Sequence, residues 1–353
     1  MDRAALQYRP TLDPDEIRER LGRLLVPGPL DDRDLESRIA RIAERFRVYA
    51  ACSPHGLWAP GLALTQEMAG IIEMYLPLEE IRCAFNRLFT LSLKFSPFLP
   101  ASAVHTSTSW LDALHRLQPL VREANPARLL RLLMVDEDYR CRFLFSLFLP
   151  HHYGGTFDRY PAQGTLLRNW LTINRPEGVV RCLDAACGSG EGGYELAMLL
   201  LDKGYAPENL EVYGATVEPL ELFAAAHGWF PHDPERQVAY RRRIGRLFAD
   251  GTAERIVFYR EDLIEEEGAA GEACDIIVCN GLLGGPLLNE RKKLAGTVGR
   301  LCARLRPGGI LLADDRFHGG WKRTTPAEVL GKMLAGNGLT LLTSCEGVAG
   351  IKR

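Results

Sequence analysis

The run Leu183-Asp184-Ala185-Ala186-Cys187-Gly188-Ser189-Gly190-Glu191 joins an apolar segment to a tight turn of small residues. From Glu191 the apolar positions are spaced for one buried helical face. Such a turn presents bare backbone N–H groups and a helix N-terminus at the C-terminal edge of a parallel sheet. Open α/β folds bind their ligands at that edge, and glycines let a ligand approach the backbone closely. The spacing is not the dinucleotide fingerprint, whose third glycine serves close helix–strand packing. Further polar groups recur at the ends of later apolar segments: Glu218 after Ala215-Thr216-Val217, Asp262 after Arg260-Glu261, and Asn280 after Val278-Cys279. The chemistry on offer is recognition of a polar, partly charged small molecule by backbone and carboxylates.

Two kinds of element must position these groups. Residues 1–150 read as a helical domain. Asp13-Pro14-Asp15-Glu16 is a helix start, and Ile39, Ile42, Phe46 and Tyr49 recur at three- and four-residue spacing within Leu35–Tyr49. Further helices are expected at Met68–Tyr75, Glu79–Ser92, Trp110–Ala124 and Pro126–Met134, with Pro77, Pro97, Pro100 and Pro119 as punctuation. This domain is either a structural cap or a substrate-recognising module. Residues 151–178 read as a linker. From 179 to 353 strands alternate with helices, the pattern of a parallel sheet. Strands are expected at Val179–Ala185, Leu210–Ala215, Arg255–Tyr259, Asp275–Cys279 and Gly309–Ala313. Helices are expected at Glu191–Lys203, Leu220–His227, Asn289–Arg306 and Pro326–Ala335, with Arg306-Pro307-Gly308-Gly309 turning the chain into a strand. Leu339–Ser344 and Val348–Lys352 read as a terminal hairpin.

Composition narrows the function classes. With 353 residues the chain is long enough for two domains, and 46% hydrophobic with 25% charged residues is ordinary for a globular protein. A net charge of −2 offers no footprint for nucleic acid. The charged start Met1-Asp2-Arg3 is not followed by the apolar run of a secretory signal. The greasiest stretch, Cys141–Pro150, falls far short of the ~20 residues that span a bilayer, so no membrane insertion is expected. Nine cysteines, odd in number and scattered singly, suit reduced thiols of a cytoplasmic protein and support neither disulfides nor a zinc site. No metal role is expected for the adjacent His151 and His152 or for His227 and His232.

Asp184-x-Ala186-x-Gly188-x-Gly190 resembles motif I of the class I S-adenosylmethionine (SAM) methyltransferases, with alanine where the first glycine usually stands. The implied fold is α/β: a mixed, mostly parallel seven-stranded sheet with a terminal β-hairpin, here preceded by an all-α domain. The implied cofactor is SAM. Asp184, Ala186, Gly188, Gly190 and Glu191 would lie against its methionine and ribose. The usual acidic position after the second strand holds Thr216, and Glu218, on the same face of an extended segment, can take the ribose hydroxyls. Glu218 as a plain helix N-terminal acid is the other reading. Asp262 would meet the adenine amino group with Leu263 beside the ring. Asn280 would stand next to the transferred methyl, or serve only as a turn residue.

The resemblance narrows further. Gly190-Glu191-Gly192-Gly193-Tyr194-Glu195-Leu196-Ala197-Met198 is similar to the G-E-E-P-Y-S-x-A-M run of the chemotaxis receptor (CheR-type) methyltransferases. Gly155-Thr156-Phe157-Asp158-Arg159-Tyr160-Pro161 resembles their T-x-F-F-R-x-P linker, and Val278-Cys279-Asn280-Gly281-Leu282-Leu283 resembles I-x-C-R-N-x-L. The family methylates glutamate carboxylates on the cytoplasmic region of chemoreceptors, which implies a chemoreceptor-like partner. A free glutamate titrates near ~4.3, so the acceptor is already anionic and needs no general base. It needs in-line positioning, for which Arg159 is the candidate catalytic residue unless it only bridges domains. The chain also departs from the family. Gly192 replaces the second glutamate of the run, and Thr216 the first aspartate of the second-strand motif. Gly281–Pro286 lacks the arginine and tyrosine of R-N-x-L-I-Y-F. Phe230–Ile256 reads as a basic helix with no room for the small β-subdomain some members carry. Two alternatives therefore stand beside protein-glutamate methylation: a methyltransferase of a small molecule or other acceptor, and a catalytically silent SAM-binding regulatory protein.

Overall fold

The computed structural model describes residues 6–52, 65–99, 102–117, 121, 123–149, 157–264, 273–315, 325–342 and 346–353. His151, His152, Gly155 and Thr156 lie outside them, as do Pro100 and Pro119. The chain divides into two compact units, one of Pro14–Pro150 with Phe230–Pro234, the other of Met1–Asp13, His151–Trp229 and Glu235–Arg353.

The first unit is built of helices α1 (Pro14–Leu24), α2 (Arg33–Cys52), α3 (Gln66–Tyr75), α4 (Leu78–Ser92), α5 (Ala103–Thr106), α6 (Trp110–Leu117), α7 (Pro126–Val135) and α8 (Glu137–Phe148). Helix α7 starts where Asn125 Oδ1 accepts from Ala127 N and Arg128 N, with Pro126 at the first helical position. Asp136 ends α7 and caps α8 by accepting from Tyr139 N at 2.8 Å. Phe143–Phe148 of α8 is buried on every side, which removes the polar face that would mark a helix in sequence. The aromatic core centres on Phe85, whose ring stacks on Trp110 and Phe143 at 6.2 and 5.9 Å. Buried among these helices, Arg140 donates to four backbone carbonyls: Leu133 and Met134 at the end of α7, and Val26 and Gly28 in the α1–α2 connection.

The second unit holds an eight-stranded sheet, in order β1 (Gln7–Tyr8), β4 (Ile256–Arg260), β3 (Leu210–Thr216), β2 (Val180–Asp184), β5 (Cys274–Val278), β6 (Leu305–Ala313), β8 (Val348–Lys352) and β7 (Leu339–Leu342). Strands β2 to β6 run parallel, and β8 is antiparallel to both β6 and β7. This is the class I methyltransferase sheet with its terminal hairpin, and β1 adds an eighth strand antiparallel to β4. Two residues carry no periodicity, so β1 leaves no mark in the sequence. Helices α9 (Pro161–Asn174), α10 (Glu191–Asp202), α11 (Pro219–His227), α12 (Pro234–Ala249), α13 (Arg291–Arg304) and α14 (Ala327–Gly336) complete the unit. Helix α9 falls in the segment expected as linker. Helix α13 stops two residues earlier than expected. Arg306–Gly309 then forms an irregularity inside β6: Leu305 faces Cys274 and pairing resumes at Ile310 opposite Ile276.

Helix α10 sits low on the sheet because residues beneath it lack side chains. A Cβ at Gly214 of β3 would fall 2.5 Å from the ring of Phe258, and one at Gly190 would fall 3.0 Å from it. The fully buried Phe258 fills that hollow and meets Tyr194 of α10 at 5.4 Å. Among the described residues no helix is long and apolar enough to cross a membrane.

Arg140→Leu keeps much of the buried volume but removes the guanidinium donor from all four carbonyls, of which Met134 O still accepts from Leu30 N. It is expected to lower the stability of the helical unit by about 3 kcal/mol, the scale for losing hydrogen bonds to a charged group, read as a lower urea midpoint.

Candidate active site

The turn after β2 is tied to both neighbouring strands. Ala185 N donates to Val278 O of β5 at 2.7 Å and Cys187 N to Ala215 O of β3 at 2.9 Å. Gly188 has φ +50, and the nearest atom a Cβ there would meet is Glu221 Oε1, at 4.0 Å. The glycine therefore serves the backbone conformation and keeps the outer face of the turn bare. Gly190, by contrast, is demanded by packing, since its Cβ would stand 2.7 Å from Ala225 Cβ.

Buried and half-buried carboxylates surround this turn. Asp184 closes β2 and burial raises it to about 7, opposed by backbone N–H bonds from Ala186 and Gly193. A Cβ at residue 192 would lie 2.4 Å from Asp184 Oδ2, so the glycine that departs from the family run is imposed by this carboxylate. Glu191, at the start of α10, accepts from Arg236 Nη2 at 2.8 Å and from Ser189 Oγ at 2.8 Å. Tyr240 Oη also donates to Ser189 O, so helix α12 grips the turn through two side chains. Glu221 of α11 accepts from Thr216 Oγ1 at 2.7 Å and is likewise raised to about 7, first by burial.

A cleft of about 380 Å³ opens beside these groups. Among the expected site residues its lining includes Arg159, Asp184, Ala186, Glu191 and Asn280. Arg159 comes from the turn before α9; burial lowers its pKa, and Asp315, Glu191 and Asp184 lie within electrostatic reach. Its guanidinium stands 5.3 Å from the centre of the Tyr160 ring. Asn280 Oδ1 accepts from Asp314 N at 2.8 Å, which fixes the amide. Asn280 and Gln163 of α9 then exchange two hydrogen bonds, at 3.0 and 2.9 Å. The paired side chain of Gln163 is buried and also lines the cleft. Sequence reasoning missed Gln163 because it lay in the expected linker.

Gly188 and Gly190 lie in the turn but not in the cleft lining, and three further expected residues stand elsewhere. Glu218 is buried and caps α11, accepting from Leu220 N at 3.3 Å. Asp262 is exposed and accepts from Ile264 N at 2.9 Å within its own turn. Leu263 is buried, and its carbonyl accepts from Thr297 Oγ1 and Arg300 Nη2. The carboxylate beside the glycine turn is thus that of Glu221. The available signal was Pro219, whose preference for the first helical position makes Glu218 the cap.

Residues 163–314 match the family described as CheR methyltransferase, SAM binding domain. Among solved structures the chain is similar to the N-methyltransferase NodS of Bradyrhizobium japonicum WM9 in complex with S-adenosyl-L-homocysteine. Identity is 17% over 62% of this chain and 99% of that one, with a TM-score of 0.38. It is also similar to the magnesium protoporphyrin IX methyltransferase of Synechocystis PCC 6803 with bound SAH. There identity is 14% over 54% of this chain and 82% of that one, with a TM-score of 0.35. No curated protein matches. Over residues 163–314 the sheet unit thus matches a CheR-type SAM-binding domain. Its site residues fit the cofactor: a bare turn for close approach, and desolvated carboxylates at Asp184 and Glu221 for a ligand that carries an ammonium and a sulfonium.

Alanine is a better helix former than glycine by about 1 kcal/mol. Gly192→Ala is nevertheless expected to destabilise the protein by about 1–3 kcal/mol, because the new methyl drives into Asp184. Thermal unfolding of the variant checks the sign.

Proposed function

We propose that this CheR-type SAM-dependent methyltransferase transfers its methyl group to a carboxylate, most simply a glutamate side chain on the cytoplasmic region of a chemoreceptor-like protein. The observation that carries the reading is Arg159 in the same cleft as the glycine turn and Asn280. When bound, SAM supplies an electrophilic methyl on a positively charged sulfur. The chain's own part is to bind, orient and exclude water. The turn Ala186–Gly190 and the carboxylates of Asp184 and Glu221 would hold the cofactor. Asn280, fixed by Asp314 N and Gln163, keeps one amide orientation at the strand end. Arg159 offers a planar fork to the acceptor carboxylate, which is ionised at neutral pH and needs no base. A cytoplasmic location suits such a partner.

One observation favours a second reading. Gly281–Pro286 carries no titratable side chain where the family segment has arginine and tyrosine, which suits a SAM-binding protein that does not transfer. Tritiated-methyl SAM incubated with the chain and a chemoreceptor cytoplasmic fragment separates the two: base-labile label on the fragment supports transfer, and SAM binding without label supports the silent role. Label on a small molecule in place of the fragment would move the acceptor to that class.

Arg159→Ala is expected to leave SAM affinity within about threefold while lowering methyl transfer by about 100-fold, the cost of losing acceptor alignment. Arg159→Lys should recover little, since an ammonium does not reproduce the bidentate fork. Unchanged transfer in Arg159→Ala would make this arginine structural.

Glu221→Ala is expected to weaken SAM by about 1–3 kcal/mol in calorimetry. Glu218→Ala should instead cost about 1 kcal/mol of fold stability through the lost cap and leave SAM affinity near the parent. The reverse pattern would return the ribose contact to Glu218.

A further inference from the structure

The turn that brings Arg159 to the cleft is gripped by side chains with no part in the proposed transfer. Among the described residues Asp158, at φ +58, is the non-glycine that enters the left-handed region. Aspartate and asparagine enter that left-handed region more readily than other side chains, because their short polar groups bond locally. The Asp158 N–H donates to the carboxylate of Glu195 on α10. The Asp158 carboxylate accepts from Arg243 Nη2 on α12 at 3.1 Å. The guanidinium of Arg243 also lies 5.7 Å over the Phe157 ring, which packs 5.3 Å from Tyr240. Phe157 is therefore held from α12 and Asp158 from both α10 and α12, and Arg159 follows immediately. Glu195 sits half-buried on the cleft wall, and burial raises it to about 7. Its nearest backbone donor is the residue that must stay left-handed.

The exposed Asp158–Arg243 pair is weak by itself, with side chains 72% and 48% accessible. The geometry gains from having several such contacts converge on one short turn. A left-handed aspartate there, with no glycine in its place, suits a conformation set by its side-chain and backbone partners together. We propose that Glu195, Asp158 and Arg243 form a latch that fixes this turn and aims Arg159 at the acceptor carboxylate, making them positioning residues for acceptor binding. The inference rests on Arg159 having the acceptor role proposed above.

Trypsin cleaves after arginine, so the Arg159–Tyr160 bond reports opening of the turn in the full-length chain. Cutting there is expected to rise about tenfold in Glu195→Ala, the factor matching loss of one charge-assisted hydrogen bond. At position 158 the order separates backbone from side-chain effects. Asp158→Asn stays near the parent, and Asp158→Gly, which keeps the conformation but loses the pair, is intermediate. Asp158→Val, which cannot enter the left-handed region cheaply, is cut fastest. With the chemoreceptor fragment as acceptor, Glu195→Ala should raise KM for the fragment several-fold at unchanged SAM affinity. Added to Arg159→Ala it should cause no further loss. Parental cutting in both Glu195→Ala and Asp158→Val overturns the latch. So does parental KM in a Glu195→Ala chain that is cut faster, or full additivity with Arg159→Ala. Failure of the underlying reading shows separately, as parental methyl transfer in Arg159→Ala with the latch residues intact.

Discussion

The seating of Phe258 sets the geometry of the site. Its ring occupies the space that side chains at Gly214 and Gly190 would take, beneath helix α10 and beside Tyr194. A larger residue at either glycine would lift the helix from the sheet. The glycine turn would then lose its short bonds to Val278 O and Ala215 O, which hold it against the strand ends. Close packing thus decides where the N-terminus of α10 points, and with it where bare N–H groups meet a ligand.

Charge is arranged around that packing in two ways. Asp184 and Glu221, drawn out of water, are raised to about 7. Desolvated carboxylates of this kind gain from a cationic ligand, which restores the charged form. Glu191 differs: Arg236 and Ser189 already engage it, so it ties α10 to α12. Arg159 lines the cleft with Asp184, Glu191 and Glu195, where burial disfavours its charged form and nearby acids oppose that. One cleft therefore offers an acidic wall and a cation, the pairing expected where a positively charged donor meets an anionic acceptor.

The basic helix α12 illustrates how a charge run can be absorbed by structure. Arg236 binds Glu191, Arg241 donates to Gly228 O and His227 O at the end of α11, and Arg246 pairs with Asp202. These arginines clamp neighbouring elements, in keeping with the cationic preference of helix C-termini in the case of Arg241.

Much of this was legible in the chain itself. Strands β2 to β6 announce themselves as short apolar runs, and the turn after Asp184 carries its chemistry in its glycines. These features are local, set by residue type and spacing over a few positions. Helix α8 was harder to read because burial on all sides erases periodicity. Strand β1 is two residues long, and Gln163 gains meaning only from Asn280, 117 positions away. The choice between Glu218 and Glu221 shows the divide most clearly. Sequence places both acids just past a strand. With Pro219 opening the helix, Glu218 turns inward as its cap, while Glu221 reaches back to Thr216 and the glycine turn, following the tilt of helical side chains toward the N-terminus. The sequence by itself determined the alternation of strands and helices and the glycine-rich turn between β2 and α10. Which carboxylate faces that turn was decided only by the phase at which α11 docks, because helical rotation and burial are properties of the packed element.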